Sequence, residues 1–185
     1  MKKRNTLVFY ASIVLIGVIG FIYQLKSQNN NMQTIVREWS GKEFVLSEAI
    51  KSQLNNHSQD TASLSGYTVI SYLDSTTCTS CRIKAFKEVI DRMQKETETN
   101  IRSLLIIDSK TLDDIHYAIQ YYGFNYPYTI DNNEYLSQLN NIPKDDRVRT
   151  FLVDSTFHVA LIGNPIINPK MYQLFVQEIK KNQKG

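Results

Sequence analysis

Residues 67–81 read YTVISYLDSTTCTSC, and this stretch decides the fold. It opens with an apolar run, residues 67–73, whose β-branched and aromatic side chains favour a strand. Polar residues follow, and then apolar side chains recur with helical period, which predicts a helix over about residues 78–93. Cys78 and Cys81, the two cysteines of the chain, therefore lie at a strand-to-helix junction.

The position of Cys78 predicts a reactive thiol. At a helix N-terminus the unpaired backbone N–H groups and the positive end of the helix dipole stabilise a thiolate, which is the form that attacks disulfides. Cys81 follows one turn later on the same side of the helix, where it can close a disulfide with Cys78. We expect Cys78 to be the nucleophile and Cys81 the resolving cysteine of a thiol–disulfide oxidoreductase.

The N-terminus carries the second clear signal. Residues 5–25 are uncharged and mostly apolar, and they lie between a basic cluster, residues 2–4, and Lys26. A membrane-spanning helix needs roughly 20 such residues, and the segment ends without the small-residue cleavage pattern of a signal peptide. An uncleaved anchor is therefore favoured, with a cleaved signal as the alternative. Because the basic residues stay in the cytoplasm, the rest of the chain is expected to be exported.

These signals divide the chain into three parts. We predict a signal-anchor or transmembrane segment over residues 1–25, which contacts the lipid bilayer through residues 6–25. A polar spacer follows over residues 26–35, and one folded domain occupies residues 36–185.

The charge distribution excludes a nucleic-acid partner. The formal net charge is +3, but the first 26 residues hold four of the 21 basic residues and none of the 18 acidic ones. The exported part therefore has 17 basic and 18 acidic residues, a net charge of −1. No basic patch remains for nucleic acid, and the excess of positive charge belongs to membrane topology.

Two other uses of the cysteine pair remain open. In an oxidising compartment a disulfide forms unless something reduces it, so the bridge could be purely structural. Against this, a bridge over two intervening residues closes a very small loop and restrains the unfolded chain little. Metal binding is the other alternative, because paired thiolates also ligate zinc.

The remaining elements complete an α/β pattern. The domain is predicted to begin with a β-hairpin over residues 36–46 that turns at Ser40-Gly41, followed by a helix over 47–54 and a polar loop over 55–66. Strands and helices then alternate, and the order predicts a central mixed β-sheet flanked by helices on both sides. The predicted elements after the cysteine helix are a strand at 101–107, a helix at 111–122, an extended piece at 127–130, a short helix at 134–139, strands at 149–153 and 159–163, and a closing helix from Pro169.

This order, with the cysteine pair at the start of the first long helix, resembles the thioredoxin-like superfamily. The extra N-terminal β-hairpin and the insertion at residues 108–140 resemble its membrane-anchored, extracytoplasmic TlpA/ResA-like branch. The segments 74–81, 150–154 and 162–165 are similar to those of thioredoxin-like proteins from Gram-negative gut bacteria. The resemblance covers roughly residues 36–180.

The resemblance implies a function and a location. It implies dithiol–disulfide exchange with protein clients, a membrane-bound reductase or oxidase as redox partner, and no cofactor or metal. With the predicted anchor, it implies a single-pass protein of the inner (cytoplasmic) membrane with its C-terminal domain in the periplasm.

The resemblance also implies that Thr77, Val148 and Arg149 border the bound client. Thr77 stands where the family has an aromatic residue, and Val148 stands where it has a cis-proline, so we expect a trans peptide bond there. Tyr72 occupies the place of the buried acid of cytoplasmic thioredoxins.

Alternative functions rest on other residues. Ser75 has the spacing to Cys78 of a peroxiredoxin motif, although Ser71 stands where that motif has proline. Copper binding would need a histidine beside the thiolates. The chain has three histidines: His57, His116 and His158.

A non-catalytic interaction module is the main alternative, with the tyrosine-rich stretch 121–128 as its surface.

Overall fold

A computed structural model describes residues 15–18, 20, 24, 32–56, 64–76 and 78–182. The chain divides into two units, Met1–Glu38 and Trp39–Gly185. In the first unit the described residues are helical, including 32–35 at the end of the predicted spacer. No helix among the described residues is long and apolar enough to cross a membrane. The predicted anchor, residues 1–25, lies mostly outside the described residues.

The predicted N-terminal hairpin is wrong. Residues 36–39 are helical rather than extended, although the chain does turn at Ser40-Gly41, where Gly41 has a φ of +75°. The segment after the turn pairs with the chain near residue 158 instead: Glu43 and His158 form an antiparallel bridge, and the Phe44 N–H donates to the Phe157 carbonyl at 2.8 Å. The edge of the sheet has free backbone N–H and C=O groups near residue 158. These groups form the hydrogen bonds that residues 43–44 would have made within the predicted hairpin.

The second unit follows the predicted order of strands and helices. The sheet contains five strands, and its two faces carry the helices. The elements are α1 (Glu48–Asn56), β1 (Leu64–Leu73), α2 (Thr79–Thr97), β2 (Asn100–Asp108), α3 (Leu112–Tyr121), β3 (Tyr128–Asp131), α4 (Tyr135–Asn140), β4 (Thr150–Val153), β5 (Val159–Gly163) and α5 (Pro169–Asn182). Short 3₁₀ turns span Ser109–Thr111, Asn132–Glu134 and Asp146–Val148.

The sheet is mixed, as predicted. Its strand order is β3-β2-β1-β4-β5, with β1, β2 and β3 parallel and β4 and β5 antiparallel to their neighbours. The central strand β1 pairs with β2 on one side and with β4 on the other. This is a thioredoxin-like α/β core, in which the carboxyl end of the central strand feeds directly into α2.

The two faces of the sheet are covered by different elements. On one face, α2, α3 and α5 form a single apolar cluster with side chains of β1, β2 and β4. The α2 contribution is the predicted stripe, which is buried throughout: Ile83, Phe86, Val89, Ile90 and Met93. On the other face Phe151 of β4 packs against Trp39 and Phe44, with ring centroids 4.6 and 5.1 Å apart. Each such buried side chain contributes about 1.5–3 kcal/mol of burial free energy, so the sheet and α2 form a rigid base for the loop between them.

Candidate functional site

The cysteine pair lies at the N-terminus of α2, as the sequence predicts. Cys78 is the N-cap residue of α2, and its Sγ accepts the backbone N–H of Cys81 at 3.3 Å. The two cysteines form a disulfide, with their Cα atoms 5.4 Å apart. Both residues are exposed. A sulfur in this position is accessible to another thiol and already receives a donor of the first helical turn.

The hydroxyl of Ser80 adds a second polar contact to this sulfur. Its Oγ lies 3.5 Å from the Cys78 Sγ. When the disulfide is reduced, the Cys81 amide and the Ser80 hydroxyl are the donors that can stabilise negative charge on Cys78. The chemistry that the arrangement supports is therefore attack by, or attack on, the Cys78 sulfur.

Asp74 begins the loop between β1 and the cysteines, residues 74–77, which we call the redox loop. Its carboxylate accepts hydrogen bonds from the Thr76 N–H at 3.2 Å and the Thr76 hydroxyl at 2.7 Å, and it forms an ion pair with Arg149. Burial by itself would raise the pKa of Asp74, but the hydrogen bonds from Thr76 and Arg149 outweigh it and hold the pKa below its ordinary value. Asp74 is thus a charged anchor of the redox loop at neutral pH.

Val148 and Arg149 lie beside this loop, but their side chains are buried. Val148 ends the 3₁₀ turn Asp146–Val148, and the peptide bond before it is trans, as predicted. The Arg149 guanidinium donates to Asp74 and to the carbonyl oxygens of Pro143 and Lys144. Neither side chain is presented at the surface, and the Arg149 side chain is engaged with three protein acceptors. Thr77, the third predicted client-binding residue, lies outside the described residues.

Sequence reasoning missed a second ion pair at the site. Arg82, the residue after Cys81, pairs with Asp146 in the 3₁₀ turn. The Asp146 carbonyl also accepts the side-chain N–H of Asn164 at 2.9 Å, and Asn164 is buried at the end of β5. The one local signal was that Arg82 adjoins the cysteine pair, since its partner lies 64 residues away.

A cleft adjoins the redox loop at the carboxyl ends of β1 and β2. Its volume is about 350 Å³, and both acidic and basic side chains line it. Tyr72 is almost fully buried at its edge, and burial raises the pKa of its phenol despite an opposing hydrogen bond with Ser137. The charged residues lining the cleft are Asp74, Asp108, Lys110, Glu134, Lys144 and Arg149.

The residues considered for peroxidase activity and copper binding lie on different elements of the fold. Ser75 is exposed in the redox loop, His116 is exposed on α3, and the His158 Nδ1 lies 2.9 Å from the Thr156 hydroxyl in the β4–β5 turn. His57 lies outside the described residues. Within the described part of the chain, no group of three or more His, Cys, Asp or Glu side chains is arranged to hold a metal ion.

The tyrosine-rich stretch separates into a buried and an exposed part. Phe124 is buried and makes edge-on contacts with Tyr126 and Tyr128, so this end of the stretch packs against the core. Tyr121 is exposed and stacks on the exposed Tyr117 of α3 at 5.5 Å. Within residues 121–128, Tyr121 is the exposed aromatic residue, and Tyr122, Tyr126 and Tyr128 are partly buried.

The fold and the site together define a class: a thioredoxin-like α/β domain with a Cys-x-x-Cys disulfide at the N-terminus of its first long core helix. The β1–α2 junction supplies both cysteines, and the turn before β4 supplies the side chains that contact this junction.

No family model matches the chain, and no curated protein matches it. Among solved structures, it is similar to a candidate protein disulfide isomerase from Bacteroides thetaiotaomicron, with 16% identity over 73% of this chain and 79% of that one and a TM-score of 0.49. It is also similar to a secreted thiol-disulfide isomerase from Corynebacterium glutamicum, with 14% identity over 64% and 72% of the two chains and a TM-score of 0.46. StoA from Bacillus subtilis is 12% identical over 60% and 85%, with a TM-score of 0.42.

Proposed function

We propose that this protein is a thiol–disulfide oxidoreductase that exchanges its Cys78–Cys81 dithiol with disulfides of protein clients. One observation carries the proposal: the disulfide is exposed at the N-terminus of α2, with the Cys78 sulfur as N-cap and acceptor of the Cys81 N–H. A structural bridge gains nothing from this exposure, whereas an exchange site requires it.

The exchange proceeds in two balanced steps. The Cys78 thiolate attacks one sulfur of the client disulfide, so a Cys78–client bond forms and the other client sulfur leaves as a thiolate, which takes up a proton. Cys81 then loses its proton, and its thiolate attacks the Cys78 sulfur: the Cys78–Cys81 bond forms, the Cys78–client bond breaks, and the second client sulfur leaves as a thiolate that takes up the proton. The client gains two electrons as its disulfide becomes a dithiol, and the Cys78–Cys81 pair loses them. The reverse sequence oxidises a client dithiol.

We propose that the client chain lies against the backbone around Thr77, Val148 and Arg149. The side chains of Val148 and Arg149 are buried, so these two residues contact the client through their main-chain groups. The exposed residues of the redox loop, such as Ser75 and Thr76, form the neighbouring surface.

We also propose that the domain works outside the cytoplasm, tethered to the inner membrane by residues 6–25 with the domain in the periplasm. A membrane-bound reductase or oxidase then restores the cysteine pair. The apolar N-terminal segment with its basic flank supports this arrangement. The test is fractionation of cells that produce the full chain or a chain starting at Lys26. The full chain should sediment with the membrane and resist extraction by carbonate, and the shortened chain should not. Recovery of the full chain as a shortened soluble species would instead indicate a cleaved signal peptide.

The exchange function is tested by the reduction potential of the cysteine pair. The full chain in detergent is equilibrated with dithiothreitol buffers, and free thiols are counted by maleimide gel shift. A potential of roughly −270 to −120 mV is expected, within the range of exchange catalysts. A pair that stays oxidised below about −300 mV behaves as a structural bridge, and that result would overturn the proposal.

A non-catalytic interaction module is the second candidate, favoured by the exposed Tyr117–Tyr121 stack. Tyrosines of this kind are enriched at protein interfaces. The two functions separate in cells: a module keeps its partners when both cysteines are changed to Ser, whereas an oxidoreductase loses its client complexes.

A further inference from the structure

Two ion pairs bracket the cysteine pair, and both lead to the same segment of chain. Asp74 lies four residues before Cys78, and it pairs with Arg149. Arg82 lies one residue after Cys81, and it pairs with Asp146. The two pairs have opposite polarity: the acidic Asp74 before the cysteines pairs with a base, and the basic Arg82 after them pairs with an acid. Residues 145–149, defined here as the clamp segment, thus form ion pairs with residues on both sides of the cysteine pair.

The Asp74–Arg149 pair is the more buried of the two. The Arg149 and Asp74 side chains are only 9% and 14% exposed, against 17% and 36% for Arg82 and Asp146. Arg149 also donates from Nε to the Pro143 carbonyl at 2.9 Å and from its second terminal nitrogen to the Lys144 carbonyl. A guanidinium presents its donors in a fixed planar fork, so this set of acceptors fixes both the side chain and the chain around it.

Among the described contacts, Arg149 is the charged partner of Asp74. Its remaining hydrogen bonds come from the neutral groups of Thr76. These bonds and the ion pair keep its pKa low against the opposing effect of burial, so the carboxylate is charged at neutral pH. Removal of either partner therefore changes the net charge beside the redox loop by one unit.

We propose that Arg149 is a positioning residue that holds the clamp segment on the redox loop through Asp74, and that the balance of these two charges sets the reduction potential of the Cys78–Cys81 pair. The proposal rests on the exchange function proposed above, and it names the charge pair that tunes the same site.

The sign of the effect follows from the charge that reduction creates. Reduction of the disulfide adds two electrons and, when Cys78 is a thiolate, one proton, on Cys81. An uncompensated Asp74 carboxylate disfavours that thiolate and stabilises the disulfide. An uncompensated Arg149 cation favours the thiolate and makes the pair easier to reduce. A unit charge in a loop beside a thiolate, screened partly by solvent, changes such an equilibrium about fivefold.

The test measures the equilibrium constant between the full chain and dithiothreitol at neutral pH for matched variants. Asp74→Asn should shift it about fivefold toward the reduced protein, and Arg149→Met should shift it about fivefold toward the disulfide. The double variant should return close to the wild-type value. Glu48→Gln serves as the control, because Glu48 belongs to an exposed ion pair on α1 and is itself 89% exposed; it should leave the constant unchanged.

Opposite shifts separate charge balance from mere loss of structure. A purely structural role predicts that both single variants shift the constant in the same direction or leave it unchanged, and either result in folded protein would overturn the proposal. If Arg149→Met does not fold by far-UV circular dichroism, Arg149→Lys keeps the charge. The proposal then requires a wild-type constant for Arg149→Lys beside the shifted constant of Asp74→Asn, and any other outcome overturns it.

The same assay keeps the two proposals apart. The absolute potential of the wild-type pair tests the exchange function, and the differences between variants test the charge pair. A wild-type pair that is too stable for exchange but still shows the opposite shifts would overturn the first and leave the second standing.

Discussion

The backbone N–H of Tyr72 donates to the Arg149 carbonyl at 2.9 Å. This bond extends the pairing of β1 with β4 one residue beyond the Ser71–Thr150 pair. The redox loop and the clamp segment therefore leave the sheet side by side, because one chain continues from Tyr72 and the other arrives at Arg149. The adjacent Ser71 and Thr150 hydroxyls, buried 2.9 Å apart, strengthen the same junction.

The first prediction concerns the order of the cysteines. Cys81→Ser should accumulate a mixed disulfide between Cys78 and a client, because the resolving thiolate is missing. Cys78→Ser should form no such complex and should lose catalysis of insulin reduction, since Cys81 is not the N-cap sulfur. The measurement is a non-reducing gel of the trapped species, with dithiothreitol release as its control. Trapping by the Cys78→Ser variant instead would reverse the assigned roles.

The second prediction concerns acid stability. The pKa of Asp74 in the folded protein lies below its ordinary value of 3.8 because hydrogen bonds from Thr76 and Arg149 outweigh burial. The unfolded chain then binds more protons than the folded chain as the pH falls, so the stabilisation by Asp74 is present above pH about 4 and disappears through the folded-state pKa. Asp74→Asn should cost about 3 kcal/mol at neutral pH, as expected for one broken partner of a buried pair.

Urea unfolding of wild type and Asp74→Asn at several pH values checks this. The difference in the free energy of unfolding between the two proteins should shrink as the pH falls below about 4 and through the folded-state pKa of Asp74. A difference that stays constant over this range would show that the Asp74 carboxylate does not provide the stabilisation.

The third prediction concerns the core opposite α2. Phe151 is fully buried and packs against Trp39 and Phe44. Phe151→Ala should therefore lower the free energy of unfolding by about 3–5 kcal/mol, from lost burial and the cavity left behind. Leu174→Ala on α5 is the matched control, because Leu174 is 46% exposed, and it should change stability by less than about 0.5 kcal/mol. Chemical denaturation measures both, and equal effects would contradict the packing described here.

The fourth prediction concerns the close approach of β5 and α5. A Cβ added to Gly163 would lie less than 3.0 Å from the Met171 side-chain atoms Cγ, Sδ and Cε. Gly163→Ala should destabilise the fold by about 1–3 kcal/mol, the usual cost of overpacking. In a double-mutant cycle, the Ala substitution should cost much less in a Met171→Ala background, because the clashing atoms are gone. Additive effects of the two substitutions would argue against this contact.

Local patterns predicted most of the secondary structure. The apolar period of Ile83, Phe86, Ile90 and Met93 predicted α2, and β5 spans the residues that its apolar run indicated, Val159–Gly163. The prediction of an N-terminal hairpin was wrong because the local pattern of residues 36–39 does not distinguish a strand from a helix. Glu43 pairs instead with the edge of the sheet at His158, and a local sequence pattern carries no information about this distant edge.

The sequence by itself determined the chemistry of the site, because the thiols of Cys78 and Cys81, their spacing and their position at a strand-to-helix junction are all local properties. Only the tertiary structure decided what surrounds them. The ion pairs of the clamp segment join residues 64 and 75 positions apart, and no periodicity along the chain encodes a contact over such a separation. It arises because β4 returns beside β1 and brings Asp146 and Arg149 to the redox loop, where burial makes an unpaired charge costly and so selects the pairing.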